Sequence, residues 1–266
     1  MPLRIPPETP EKVVHEVIQR SKEELSEGLE LIPGKLRIRC ANEEDIARFP
    51  RAFMRPPRLS QYLVEWEYED ISEFQQEYNL IYRTWLALRL LKAGAVFLEN
   101  LYSFRRGAKR LGLEKVIMPP PLRSLSAGYT LYLDEKEDLI EVFEKLRTVD
   151  FSQRNTFRIT CDRFLRYYYE HHHEDRLIDL MIGFEALLEI GPQIRSKGKA
   201  IASQCSKLVG KDHREESRIR ETIRKAYRLR NEVVHGDEHG ENKIAEIVVV
   251  IEDYLRKSIL DLCQKQ

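Results

Sequence analysis

The sequence predicts an α+β protein in which a mixed α/β region precedes an all-α antiparallel helical bundle. Two observations carry this prediction. Before about residue 150, short stretches that alternate apolar with polar residues, as strands do, occur between helical patterns. Beyond it the strand patterns end, and five helical segments follow with short breaks, which favours antiparallel packing of neighbouring helices. We therefore expect two domains, 1–149 and 150–266.

The first domain alternates helical and strand patterns. Leu36, Ile38 and Cys40, for example, alternate with basic residues, as in a strand with one buried face. The expected helices are 11–29, 71–92 and 135–148, the expected strands are 35–40, 62–68, 96–104 and 129–133, and a basic loop (105–110) and three prolines (119–121) lie between them. The domain has no phosphate loop, dinucleotide fingerprint or metal-ligand spacing. The role that we consider for it is contact with a protein partner.

Glycine and proline divide the second domain into helices. The expected segments are 153–173, 175–190, 195–209, 214–232 and 242–264, with breaks at Gly191-Pro192, Gly210 and Gly236–Gly240. The last segment carries a continuous apolar stripe from Ile244 to Leu262. This stripe either faces the core of the bundle, which we favour, or covers a second subunit.

The composition excludes several classes of protein. The 266 residues include 44 basic and 44 acidic side chains, so bulk charge indicates no polyanionic partner. Four widely spaced cysteines form neither a zinc motif nor a disulfide framework, which fits a reducing compartment. No apolar run is long enough to span a bilayer. We expect a cytoplasmic protein without a membrane partner.

The charge is unevenly distributed along the second domain. Residues 195–230 hold twelve basic and four acidic residues, an excess of eight positive charges, whereas residues 231–266 hold four basic and eight acidic ones. A basic run of this kind is typical of nucleic-acid contact, and equally of a solvated helix face. For the first interpretation, the expected RNA contacts are Lys197, Lys199, Arg220, Arg224 and Arg228.

The basic run ends in a candidate catalytic motif, Arg230, Asn231 and His235, followed by Gly236. Arginine stays charged and binds phosphate oxygens through parallel donors. Histidine exchanges a proton near neutral pH. The pair therefore suits phosphodiester chemistry. A cationic helix end without catalytic function is the alternative, and the spacing alone is weak, because Arg166 and His171 repeat it.

The motif also raises a geometric problem. Gly236 is a natural helix stop, so Arg230 and His235 both belong to the end of one helix. Five residues of ideal helix rotate by roughly 500°, which places the two side chains about 140° apart. Either the helix unwinds at Val233 and Val234, or two copies of the chain share the site. We favour the shared site.

Two further residues support the candidate site. Tyr227 follows Ile219 and Ile223 on the apolar face of the helix before the motif. Glu185 falls in the apolar stripe of segment 175–190, where a buried carboxylate needs a partner such as Arg230 or another arginine of the penultimate helix. The alternative is an edge position with the carboxylate in water.

A metal or cofactor is not expected. The three consecutive histidines 171–173 could offer ligands, but adjacent residues of a helix point in different directions and cannot converge on one ion. No other ligand spacing lies nearby. We therefore expect no metal ion at these histidines.

These features together resemble a HEPN domain, closest to the ApeA-like branch. The matching elements are the helix with Gly183-Phe-Glu-Ala-Leu-Leu188, the short helix near 199–208, and Ile223–Gly236 with its trailing helix. The resemblance covers about residues 150–266. It implies a HEPN-like bundle that acts as a homodimer, with both motifs lining one cleft.

The resemblance also implies a function. Many HEPN proteins are metal-independent endoribonucleases, often in defence or stress responses. In that mechanism His235 would act as base or acid, Arg230 would stabilise charge on the phosphate, and Asn231 would orient the imidazole or the phosphate. Other HEPN proteins are non-catalytic, so a helical dimer that binds protein or nucleic acid is the second hypothesis.

Overall fold

The computed structural model of the chain describes residues 28–40, 62–66, 74–94, 96, 100–103, 112–116, 129, 131–236 and 241–264. Within these residues the chain is mostly helical, with seven α-helices and two small antiparallel sheets. It divides into two compact units. One holds both sheets, and the other consists of 86–99, 118–129 and 145–266.

The larger sheet is a three-stranded meander. Its strands are β1 (Leu29–Ile32), β2 (Leu36–Cys40) and β3 (Tyr62–Trp66), in the order β1-β2-β3. Ile38 pairs with Leu29 on one side and with Val64 on the other. Alternation buries one face of β1 and β2, as the apolar pattern of the second strand predicts. The second sheet pairs β4 (Asn100–Ser103) with β5 (Gly112–Val116).

Three sequence expectations for this region need correction or lie outside the described residues. The helix 11–29 falls outside them except at its end, where Leu29 begins a strand, because Pro33-Gly34 turns a hairpin instead of ending a helix. The strand expected at 129–133 is wrong: Leu133–Glu135 is a 3-10 turn, and the Glu135 carboxylate accepts the backbone N–H of Tyr132 at 2.9 Å. Strand β5 was not predicted. The basic loop 105–110 and the prolines 119–121 are not among the described residues.

The helices of the described chain agree closely with the sequence patterns. They are α1 (Phe74–Leu91), α2 (Lys136–Thr148), α3 (Asn155–Arg166), α4 (His173–Leu187), α5 (Lys197–Val209), α6 (His213–His235) and α7 (Glu241–Gln264). The predicted helical C-terminal region is therefore confirmed. Its first helix ends earlier than expected, because Tyr167, Tyr168 and Tyr169 form a buried turn.

Helices α3 and α4 pack antiparallel. The Thr160 hydroxyl on α3 donates to the carbonyl oxygen of Gly183 on α4 at 3.1 Å, and Arg163 pairs with Asp179 at 2.7 Å. Later residues of α3 therefore lie beside earlier residues of α4, so the two helices run in opposite directions. A Cβ at Gly183 would lie 2.9 Å from Leu255 of α7, so the missing side chain allows α7 to approach.

Helices α5 and α6 also pack antiparallel. Gly198 at the start of α5 lies against Tyr227 near the end of α6, where an added Cβ would come within 2.8 Å of the ring. At the other end, Arg220 donates to the Ser206 hydroxyl at 3.2 Å. This pairing brings the first turn of α5 beside the last turns of α6, which carry the motif.

Helix α7 supplies the centre of the bundle. Its apolar stripe is buried at Ile244, Ile247, Val248, Ile251, Leu255 and Ile259. The core interpretation of this stripe is confirmed, whereas Leu262 is only half-buried. Among the described residues, no helix combines the length and apolarity needed to cross a membrane.

A buried polar network links α7 to the tyrosine turn. The Tyr168 hydroxyl donates to the Glu252 carboxylate at 2.8 Å, and the Arg89 guanidinium lies 3.6 Å from the centroid of the Tyr168 ring. Burial raises the pKa of Glu252, and the hydroxyl that donates to it offsets part of the rise. The network therefore keeps a carboxylate in the core by giving it donors.

We expect Tyr168→Phe to lower the free energy of unfolding by about 1–3 kcal/mol at neutral pH, because Glu252 loses its buried donor. The pKa of Glu252 is raised in the folded state, so its ionisation opposes folding at neutral pH. The loss should therefore shrink as the pH falls through that raised pKa. Urea unfolding at neutral and mildly acidic pH measures it. In a Glu252→Gln background the loss should not change with pH.

Candidate functional site

Helix α6 runs without interruption to the motif. Asp212 caps its start by accepting the backbone N–H of Glu215 at 2.8 Å. Its end is Gly236, which adopts φ 76° and donates its N–H to the carbonyl of Val233 at 3.1 Å. The helix therefore does not unwind at the valines, and the first of the two geometric alternatives is wrong. Within one chain, Arg230 and His235 keep their angular separation of about 140°.

The Arg230 side chain is held between two neighbours on α6. Its guanidinium carbon lies 5.9 Å from the centroid of the Tyr227 ring, within the range of a cation–π contact. Its Nη1 donates to Asn231 Oδ1 at 3.2 Å. Its Nε is buried and has no hydrogen-bond partner in the described part of the chain. The structure thus brings Arg230, Asn231 and Tyr227 together, with donors left over for an anion.

His235 stands apart from this group. It is the last residue of α6 and is exposed, as is Val234 before it. Within the described ranges, no hydrogen bond or ion pair joins His235 to Arg230. Asn231 bonds to the arginine, so in this single chain it orients the guanidinium. The role expected for it toward the imidazole stays a prediction.

Helix α6 ends at Gly236, which adopts the αL conformation. We expect Gly236→Ala to destabilise the protein by about 1–2 kcal/mol, because an L residue is strained at positive φ. No atom of the described residues lies within 4 Å of the Cβ that would be added, so the expected cost is that of the backbone. Thermal unfolding measures it. Gly236→Asn is the control, since asparagine tolerates αL, and an equal loss in both variants would contradict the assignment.

Glu185 has a different partner from the one expected. Its Oε2 pairs with Lys197 Nζ at 2.8 Å, and the side chain is 18% exposed. Its Oε1 is buried and has no hydrogen-bond partner among the described residues. The expected pairing with Arg230 or another arginine of α6 is thus corrected. The reason is that the first turn of α5 reaches α4, while Arg230 is engaged by Asn231.

A basic groove lies between the chain that leads into α5 and the last turns of α6. It has a volume of about 650 Å³. Five of its lining residues are cationic, none is acidic, and Tyr227 and Asn231 also line it; the cations are Arg195, Lys197, Lys199, Arg224 and Arg228. Four of the five expected RNA contacts therefore meet in one place, beside the motif asparagine.

A second depression continues along α6. It has a volume of about 490 Å³ and shares Arg224 and Arg228 with the basic groove. Arg220, the remaining expected RNA contact, lines this depression together with Lys225. Arg220 also pairs with Glu216 at 2.9 Å. Arg195 and Lys225 were not among the expected RNA contacts, although both belong to the basic run 195–230.

The described residues offer few other candidates for catalysis or metal binding. Arg166 of the repeated spacing pairs with Glu170 at 2.8 Å and lies 3.4 Å from Asp179, so it serves α3 and α4. Burial raises the pKa of the Cys205 and Cys263 thiols to about 12, which keeps them un-ionised at neutral pH. No group of three or more His, Cys, Asp or Glu side chains that could hold a metal occurs in the part of the chain that is described.

Comparison of the chain with family models, curated proteins and solved structures gives no match. The resemblance to HEPN domains therefore rests on the motif and on the order of the helices. It enters below as part of a proposal.

Proposed function

We propose that the protein is an endoribonuclease that cuts RNA without a metal, as a dimer whose HEPN-like bundle is formed by residues 150–266. One observation carries the proposal. An unbroken α6 places the fixed Arg230 cation beside a basic groove and then ends at an exposed histidine. These are the groups that transfer of a phosphodiester to a ribose 2′-hydroxyl requires.

The chemistry needs a base, an acid and a charge stabiliser. The His235 imidazole would take the proton of the 2′-hydroxyl, and the 2′-oxygen would attack phosphorus. The bond from phosphorus to the 5′-oxygen breaks, and this oxygen takes a proton from the second imidazole of the dimer. Arg230 would stabilise the negative charge on the phosphoryl oxygens. The products are a 2′,3′-cyclic phosphate and a 5′-hydroxyl end. DNA lacks the internal nucleophile, so it would not be cut.

A second copy of the chain solves the angular problem. Because α6 is continuous, Arg230 and His235 of one copy face different directions, and two α6 ends can complement each other. The surface offers apolar residues for such a contact. Val234, Val249 and Val250 are 52%, 62% and 39% exposed, and they lie on α6 and α7. We propose that a partner copy covers them.

The test is cleavage of a structured RNA by purified protein in the presence of EDTA. The expected result is fragments that end in a 2′,3′-cyclic phosphate. Loss of cleavage in EDTA, or fragments with a 3′-hydroxyl end, would contradict the mechanism. A protein purified in parallel with both Arg230→Ala and His235→Ala controls for contaminating nuclease, because it should release no fragments.

The second candidate is a non-catalytic helical dimer that binds protein or nucleic acid. The observation that favours it is the separation of His235 from Arg230 within one chain. It predicts binding without cutting. For the nuclease, the resemblance implies a role in defence or a stress response in the cytoplasm. Residues 1–149 would then contact a protein partner.

A further inference from the structure

We propose that the basic groove holds the backbone of single-stranded RNA, outside the scissile phosphate, and that Arg224 and Arg228 are its central phosphate contacts. The choice of RNA rests on the proposed function. The location of the site is inferred from the charge, shape and packing of the groove. Its occupant would be recognised as a chain of phosphodiesters and not by its bases.

The groove carries more positive charge than neighbouring acidic residues neutralise. None of its lining residues is acidic, although Lys197 pairs with Glu185 at 2.8 Å. In the described part of the chain, Arg195, Lys199 and Arg224 form no ion pair. Arg228 reaches Glu232 only at 3.8 Å, and its side chain is 71% exposed. Clustered cations repel one another, so a bound polyanion would lower the free energy of this surface.

The first turn of α5 also favours an anion. It carries Lys197 and Lys199 and no acidic residue, although the positive end of a helix dipole disfavours cations. Ser196 at the cap makes no side-chain hydrogen bond to the turn. Gly198 holds this turn against Tyr227, which fixes it at the wall of the groove. An anion in the groove would interact favourably with both the helix dipole and Lys199, while Lys197 is already paired with Glu185.

The cations of α6 are regularly spaced. Arg220, Arg224 and Arg228 follow at intervals of four residues, so they rise by about 6 Å each along α6. A row of cations at this interval can follow the phosphates of one strand. A concave groove of about 650 Å³ also admits one strand better than the convex surface of a duplex.

The groove continues to the motif. Asn231 lines the groove and accepts a hydrogen bond from Arg230. A strand that lies across Arg224 and Arg228 would therefore reach Asn231, about one turn further along the helix, and Asn231 is bonded to Arg230. The groove would position the RNA, and the end of α6 would act on it.

Fluorescence anisotropy tests the proposal. The probe is a labelled 2′-O-methyl RNA strand, which lacks the 2′-hydroxyl nucleophile and so is not cut, titrated with the full chain at several salt concentrations. We expect Arg224→Ala with Arg228→Ala to weaken binding about ten- to a hundredfold at low salt. The slope of log affinity against log salt should fall by about 1.4, for two contacts to a single strand.

The matched control is Arg214→Ala with Arg218→Ala, two arginines of α6 that line neither depression. These two substitutions remove the same charge from the same helix, and they should change the affinity for RNA little. An equal loss in both double variants would overturn the groove, because it would show a response to net charge alone. Equal or tighter binding of the same strand in a duplex would overturn its single-strand preference. A DNA strand of the same sequence should bind comparably, since the backbone is what is recognised.

This experiment separates the groove from the nuclease. Binding that depends on Arg224 and Arg228, without cutting of ordinary RNA, would support the groove and refute the nuclease. If the variant with both Arg224→Ala and Arg228→Ala cuts RNA at the wild-type rate, the groove does not bind the RNA, and the proposed nuclease activity is not contradicted. Binding of an acidic peptide but not of RNA would also overturn the proposal.

Discussion

Replacing His235 with alanine should slow RNA cleavage by about 10² to 10⁴ fold, which is the usual contribution of a general acid or base. The side chain is exposed at the end of α6, so its removal should not disturb the core. Stability should therefore stay within about 0.5 kcal/mol of wild type. Single-turnover cleavage rates and urea unfolding of the same preparations measure the two quantities.

The helix supplies its own control. His213 is exposed at the opposite end of α6, away from the motif, so His213→Ala should cleave RNA at the wild-type rate. Equal losses of cleavage rate in the two variants, or full activity of His235→Ala, would show that the His235 imidazole takes no part in the mechanism.

Much of the bundle could be predicted because its signals are local. Gly210 and Gly236 interrupt or end helices, and Asp212 caps one, so these boundaries depend on a few neighbouring residues. The hairpin at β1 could not be predicted in this way. Pro33-Gly34 ends a helix as readily as it turns a strand, and the partners of β1 come from β2. The hydrogen-bonded pairing of β1 with β2 therefore decides that Pro33-Gly34 forms a hairpin turn.

The candidate site shows the same limit. The sequence identified the basic run and most of the groove residues, but not that the first turn of α5 joins the last turns of α6. That join depends on the close approach of Gly198 to Tyr227. The partner of Glu185 was missed for the same reason. An arginine on α6 has the right charge, but Lys197 has the right position.

Arg230→Ala should slow cleavage by about 10² to 10³ fold, the usual cost of removing one transition-state donor. The loss should be partly reversed by mixing this variant with His235→Ala. Random exchange makes half of the dimers mixed, and the cleft of each mixed dimer then holds one guanidinium and one imidazole. The mixture should therefore cleave RNA faster than either variant alone when the cleft is shared between copies. Cleavage rates before and after subunit exchange measure this.

The recovery on mixing distinguishes the shared cleft from a site within one chain. A single-chain site would need both side chains on the same copy, and no exchange could then restore activity. The matched control mixes Arg230→Ala with a variant that lacks both Arg230 and His235, in which every cleft lacks the guanidinium. Recovery of cleavage in this control mixture would indicate a contaminating nuclease. Absence of restoration in the test mixture, with mixed dimers shown to form, would mean that the continuous α6 does not complete its site across two copies.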